Sequence, residues 1–254
     1  MDVQASLLRQ LENPNLTRNQ RAELRCELAK ELENTGDYEA ARQAISEFWQ
    51  RIGEQPRLDG LEATTKGEVL LRAGVLTGWI GSQIQIAGAQ ETAKNLISES
   101  ISIFEARSYA KKVFEAQVEL ACCYWREGAL DEARVILKEV LARLTSNNEL
   151  KAKAVLRSAI VEWSALRHAD SLKILTDAAP LFEKITNHTI KGSYHNALAG
   201  VLEDIGASEQ REDYLDRAFI EYAAASFHFE QAGHKPYRAN VENNLGFLYF
   251  KANS

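Results

Sequence analysis

The chain has 254 residues, of which 45% are hydrophobic and 26% charged, the ordinary balance of a soluble folded protein. Its formal net charge of −6 argues against a nucleic-acid module, which carries a basic face, and no run of Lys and Arg supplies such a face locally. The 4 prolines, at positions 14, 56, 180 and 236, leave room for long helices, because an interior proline costs a helix about 3 kcal/mol.

Residues 3 to 12 read as a short helix ended by Asn13-Pro14. Next comes Leu28-Ala29…Leu32…Gly36-Asp37-Tyr38-Glu39-Ala40-Ala41, an apolar helix, a glycine turn and the start of a second helix. The stretch from Val69 to Ala89 carries Arg72 and several glycines (Gly74, Gly78, Gly81 and Gly88) and is a poor membrane span. It reads as a buried helix whose glycines serve close packing and turns. Ala93-Lys94-Asn95-Leu96-Ile97…Phe104 follows with apolar residues at helical spacing.

The clearest unit runs from Ala116 to Ala133. An apolar helix reaches Gly128, which suits a left-handed helix end, and Asp131-Glu132-Ala133 opens the next helix with acidic residues at its N-terminal dipole. The layout recurs in weaker form at Ala159…Trp163…Leu166-Arg167-His168-Ala169-Asp170-Ser171, and it begins again at Asn244-Leu245-Gly246-Phe247-Leu248-Tyr249. No sustained period-two run argues for strands.

These residues resemble the tetratricopeptide repeat, whose first helix carries a Leu-Gly/Ala…Tyr pattern and whose second carries small residues at fixed offsets. The small residue of each first helix falls at Ala29, Gly74, Ala121, Ala159, Ala199 and Gly246. The separations are 45, 47, 38, 40 and 47 residues, all longer than the usual 34. The second and fifth units each hold about seven extra residues, roughly two helical turns, so the apolar face stays in phase. In the fifth unit the insertion reads as a helix start over Ala207 to Asp213, with Ser208 as its cap. The longer units resemble kinesin-light-chain-like and bacterial peptide-receptor repeats.

The resemblance implies an all-α, α-α superhelix of antiparallel helix pairs in one domain. Its units lie at about 18–55, 62–107, 111–146, 151–186 and 189–233, with a half unit at 238–254. The last unit stops after its first helix, which leads to the expectation that the chain is a fragment of a longer, bacterial-type repeat protein.

In this family the first helices line a concave groove, and the residues three before, one after and four or five after the small position point into it. Carried over, that pattern gives Cys26, Lys30, Leu71, Val75, Trp79, Val118, Cys122, Trp125, Arg126, Leu156, Ile160 and Trp163. Asn196, Glu203, Asp204, Asn243, Phe247 and Lys251 complete it. The partner-binding set is Trp79, Val118, Trp125, Arg126, Leu156, Trp163, Asn196, Asn243, Phe247 and Lys251. Tryptophan anchors interfaces well because it buries much area and loses few torsions, and asparagine offers a peptide backbone both a donor and an acceptor. The alternative is that the tryptophans pack between neighbouring units. Both readings stay open in the sequence.

Nothing points to catalysis. No nucleophile elbow, phosphate loop or dinucleotide fingerprint occurs, and no cofactor or metal is expected. His188 and His195 lie two turns apart and can share a helix face, but no neighbouring carboxylate completes a metal motif. Glu203-Asp204 reads as a solvated acidic pair. Cys26, Cys122 and Cys123 read as buried free thiols. The N-terminus shows neither a basic segment nor an apolar core of a secretory signal, so the expected setting is the cytoplasm. The expected function is a protein-interaction scaffold holding a peptide or protein segment. The alternative is a ligand- or peptide-sensing module of a larger signalling or transcription-control protein.

Overall fold

The computed structural model describes residues 3–146 and 148–252, and every regular element among them is a helix. The chain divides into two compact units, Met1–Ala129 and Leu130–Ser254, with the boundary in the turn after Gly128. The first holds α1 (Val3–Leu11), α2 (Arg18–Asn34), α3 (Tyr38–Ala44), α4 (Ala63–Gln83), α5 (Ala89–Ala106) and α6 (Ala110–Glu127). The second holds α7 (Leu130–Arg143), α8 (Glu149–Ser164), α9 (His168–Asp177), α10 (Ala179–Lys184), α11 (His188–Glu209), α12 (Glu212–Gln231) and α13 (Lys235–Ala252). Helices α2, α4, α6, α8, α11 and α13 are first helices.

Local sequence chemistry sets the helix ends. Thr17 and Gln20 form a reciprocal capping box at the start of α2, and Asp37 accepts from the Ala40 amide at 3.0 Å to open α3. Asn148 and Asn187 cap α8 and α11 in the same way. Gly128 ends α6 at φ 80°, a conformation that would strain a residue with a Cβ.

The predicted small positions are where helices meet. Ala29, Gly74, Ala121, Ala159 and Ala199 are all buried, whereas Gly246 on α13 is exposed. At Gly74 a Cβ would stand 2.6 Å from Ile97 Cγ1 on α5, so only glycine allows α4 and α5 to approach this closely. Of the stretch read as buried helix, 69–78 is buried within α4, whereas the helix ends at Gln83 and residues 82–88 are exposed.

The extra residues of the second and fifth units lengthen the helices, and α4 and α11 reach 21 and 22 residues. The expected helix start at Ser208 is not there. α11 runs on to Glu209, and Ser208 Oγ donates to the Ile205 carbonyl at 3.1 Å inside its last turn. The break comes at Gln210, in the left-handed region at φ 55°, and Arg211 precedes α12 without a side-chain cap. Two second helices are also cut short. α3 stops at Ala44, although Ile45, Phe48 and Trp49 beyond it are buried and Trp49 Nε1 donates to the Glu54 carbonyl at 3.1 Å. Pro180 sits in the first turn of α10 and interrupts the fourth unit's second helix after α9.

Candidate partner-binding surface

The first-helix rows of the two units carry different chemistry. In the first unit, α2, α4 and α6 meet through charge. Arg72 of α4, only 3% exposed, lies 2.5 Å from Glu33 and 3.4 Å from Glu115. Lys30 reaches Glu115 at 2.5 Å, and Lys112 reaches Glu68 at 2.5 Å and Glu115 at 3.5 Å. Burial alone would raise the Glu115 carboxyl, but the charges of Arg72, Lys30 and Lys112 outweigh it and hold the group at about 2. Burial disfavours the Arg72 cation, yet Glu33, Glu115, Glu68 and Glu119 push its pKa above the usual value. Cys26 adjoins this network, and burial pushes its thiol well above the ordinary range, so it is a poor nucleophile. Cys26 therefore serves the interior of the unit, and Lys30 its ion-pair network.

At the far end of α4 the Trp79 ring stacks on Tyr38, with centroids 5.1 Å apart and planes 11° apart. The Arg126 guanidinium carbon sits 3.7 Å from the centre of the Trp79 ring and 5.9 Å from that of Trp125. Arg126 Nη2 is buried with no hydrogen-bond partner among the described residues, as is Gln90 Oε1 nearby. The three sequence-predicted residues Trp79, Trp125 and Arg126 thus form one half-buried cluster.

In the second unit Trp163 of α8 packs on Gly200 of α11, where a Cβ would come within 2.3 Å of the indole. Trp163 Nε1 donates to Asp204 at 2.6 Å, and His168 Nε2 lies 3.8 Å from the same carboxylate. Tyr222 donates its hydroxyl to Glu203 at 3.0 Å. Glu203 and Asp204 are therefore half-buried and engaged, which corrects their reading as a solvated pair. The packing alternative for the tryptophans describes Trp163 and Trp79 as they stand. One turn before Gly200 on α11, Asn196 Oδ1 is a buried acceptor without a hydrogen-bond partner among the described residues. An open cleft of about 330 Å³ adjoins this region, lined by residues that include Leu166, His168, Ile205 and Ser208.

The remaining predicted residues divide by exposure. Val118 and Leu156 are buried at 1% and 4% and present no surface as they stand. Asn243 and Phe247 are exposed on α13. Lys251 falls in the last turn of α13, and its side chain lies outside the described part of the structure. Cys26, Cys122 and Cys123 are buried and free.

One group escaped the sequence. His188 and His195 of α11 do share a face, and α12 adds His228 and Glu221, likewise two turns apart. Those spacings were visible; that α11 and α12 would set them opposite each other was not. Among the described residues no group of three or more His, Cys, Asp or Glu is arranged to hold a metal ion. Nor is any described helix long and apolar enough to cross a membrane.

No protein-family model matches the chain, and no curated protein matches it in sequence. Solved structures do match its fold. Bacillus thuringiensis PlcR, in complex with the peptide PapR7 and DNA, superposes with a TM-score of 0.66 at 13% identity over 92% of this chain and 78% of that one. A Podosopora anserina kinesin light chain with nearly identical TPR-like repeats gives 0.50 at 16% identity, over 82% of this chain and 98% of that one. The chain has the fold of tetratricopeptide-like helical repeats.

Proposed function

We propose that this chain binds a peptide or protein segment along its first helices, with the α8–α11 face of the second unit as the principal contact, and that it works by binding rather than catalysis. The observation that carries the proposal is Asn196 Oδ1. A buried acceptor without a donor costs about 1–3 kcal/mol, and a peptide N–H removes that cost on binding. Asn243 and Phe247 on α13 extend the same row with exposed polar and aromatic groups. The fold of PlcR, solved with a peptide, supports a peptide as the class of partner.

That similarity also favours the second reading, a peptide-sensing module within a larger regulator. PlcR was solved with DNA as well, so a net charge of −6 on this chain argues only about its own surface.

The test selects peptides on the wild-type chain from a display library and measures their affinity for N196A and N243A. Asn196→Ala is expected to weaken the selected peptides about tenfold while leaving the helical circular-dichroism signal unchanged. Equal affinity for wild type and N196A would remove this face from the site.

A further inference from the structure

The densest set of titratable side chains outside that row lies between α11 and α12. His188 stands in the first turn of α11 and His195 two turns on; opposite them on α12 are His228 and Glu221. His188 Nδ1 and His228 Nδ1 are 2.9 Å apart, a hydrogen bond that requires one ring to donate and the other to accept. Their centroids are 5.1 Å apart, and the His195 ring stacks on His228 at 5.4 Å with 19° between the planes. His195 Nδ1 lies 2.6 Å from Glu221 Oε2. Three imidazoles therefore share a half-buried patch with one carboxylate, and that carboxylate is already engaged by His195.

We propose that this cluster is an acid-sensitive latch, which holds the α11–α12 hairpin closed while His228 is neutral and loosens it when His228 takes up a proton.

The geometry gives the direction. The latch takes His188 as the donor and His228 as the acceptor, so a proton on His228 Nδ1 sets N–H against N–H and abolishes the bond. That proton also places a cation in ring contact with two other imidazoles. The remaining charged groups around the cluster do little to offset it. Lys191 on α11 repels it, and Glu183 of α10 acts on Tyr194, which meets His195 edge-on at 5.1 Å. Burial first, then His195, His188 and Lys191, lower the His228 pKa from 6.5 to about 4. A histidine with a lowered folded pKa gives stability that is complete above 6.5 and lost as the pH falls toward the folded value. Asn196 follows His195 on α11, so the latch also governs the face assigned to the partner; that consequence rests on the reading above, whereas the latch itself does not.

Amide hydrogen exchange on the whole chain, without any partner, tests the latch. Rates at pH 7 and pH 5 are corrected for intrinsic exchange, and the α4–α5 hairpin serves as the internal reference. One pKa unit is a factor of ten, so wild-type α11–α12 is expected to lose about tenfold in protection relative to α4–α5. His228→Gln, which retains a hydrogen-bonding group but does not titrate, is expected to flatten that loss, and His234→Gln is expected to leave it in place. The proposal is overturned if both hairpins lose protection together, if H228Q keeps the wild-type dependence, or if H234Q flattens it instead. Should H228Q fail to fold, ring-resolved NMR titration of the wild type decides: His228 is expected to titrate well below 6.5 with a coupled change at His188, and independent, ordinary midpoints would overturn the latch. Zinc added at pH 7 that raises α11–α12 protection would assign the cluster to a metal instead, and would equally overturn it.

Discussion

The α4–α5 hairpin of the first unit and the α11–α12 hairpin of the second use one packing solution for different ends. In each, a glycine near the start of the first helix lies under a phenylalanine of the second: Gly67 under Phe104 and Gly192 under Phe229, with a built Cβ 2.7 Å from the ring in both. A small residue then allows close approach, Gly74 in one and Ala199 in the other. The differences lie at the neighbouring positions. The first hairpin has Leu71 and Arg72, a buried apolar residue and the centre of an ion-pair network; the second has Asn196 and Ala197. A repeat scaffold fixes where side chains stand and leaves their chemistry free, so one hairpin carries the centre of an ion-pair network where the other carries an amide acceptor without a partner among the described residues.

The comparison is broken most sharply at Arg72. Arg72→Ala removes the buried cation between Glu33 and Glu115, leaving Glu115 to Lys30 and Lys112, and removing one partner of a buried pair costs about 3–5 kcal/mol. Denaturant unfolding is expected to show that loss. A cost near zero would mean that the network contributes nothing to the first unit.

Acid acts on the other unit. His234, 1% exposed, accepts from the Tyr237 amide at the start of α13 and stacks on the Tyr237 ring at 3.9 Å. Burial lowers its pKa to about 4, so its contribution is complete above 6.5 and is lost as the pH falls through 4. The packing of the α13 start on His234 is expected to weaken as the pH falls from 7 to 4, and in H234Q to depend less on pH, as read by amide exchange in the first turns of α13.

The matched pair Gly67→Ala and Gly192→Ala sharpens the likeness. Each forces a methyl against a buried ring at a cost of about 1–3 kcal/mol, offset by up to about 1 kcal/mol of helix propensity. Equal shifts in thermal midpoint are expected, and a large difference would deny the shared packing. Smaller still is Ser171→Ala, which removes the hydrogen bond from Ser171 Oγ to the Ala159 carbonyl and costs about 1 kcal/mol. Arg238→Ala on the exposed face of α13 is expected to change nothing measurable, although Arg238 pairs with both Glu230 and Glu242.

Much of the fold was legible because its signals are local. Gly128, the Asp37 turn and the spacing of small residues each follow from backbone sterics or helical period. Ser208 misled because a serine before acidic residues looks like a cap, whereas the apolar face of α11 carries the helix past it to Gln210. The site was harder to read. Trp163 on an inner row looks the same in sequence whether it faces solvent or a glycine on the next helix, and only the fold shows it against Gly200. The Arg72 network and the histidine cluster join residues far apart in the chain, and only the packing of helix on helix brings them together.

The central claim is that the second unit's first-helix face, around Asn196, receives the partner. The most direct measurement is amide exchange of the whole chain with and without a peptide selected on it. Slowed exchange in α8, in α11 from Asn196 to Asp204, and in α13 is the predicted result. Protection confined to the second helices α5 and α12, with those segments unchanged, would contradict it.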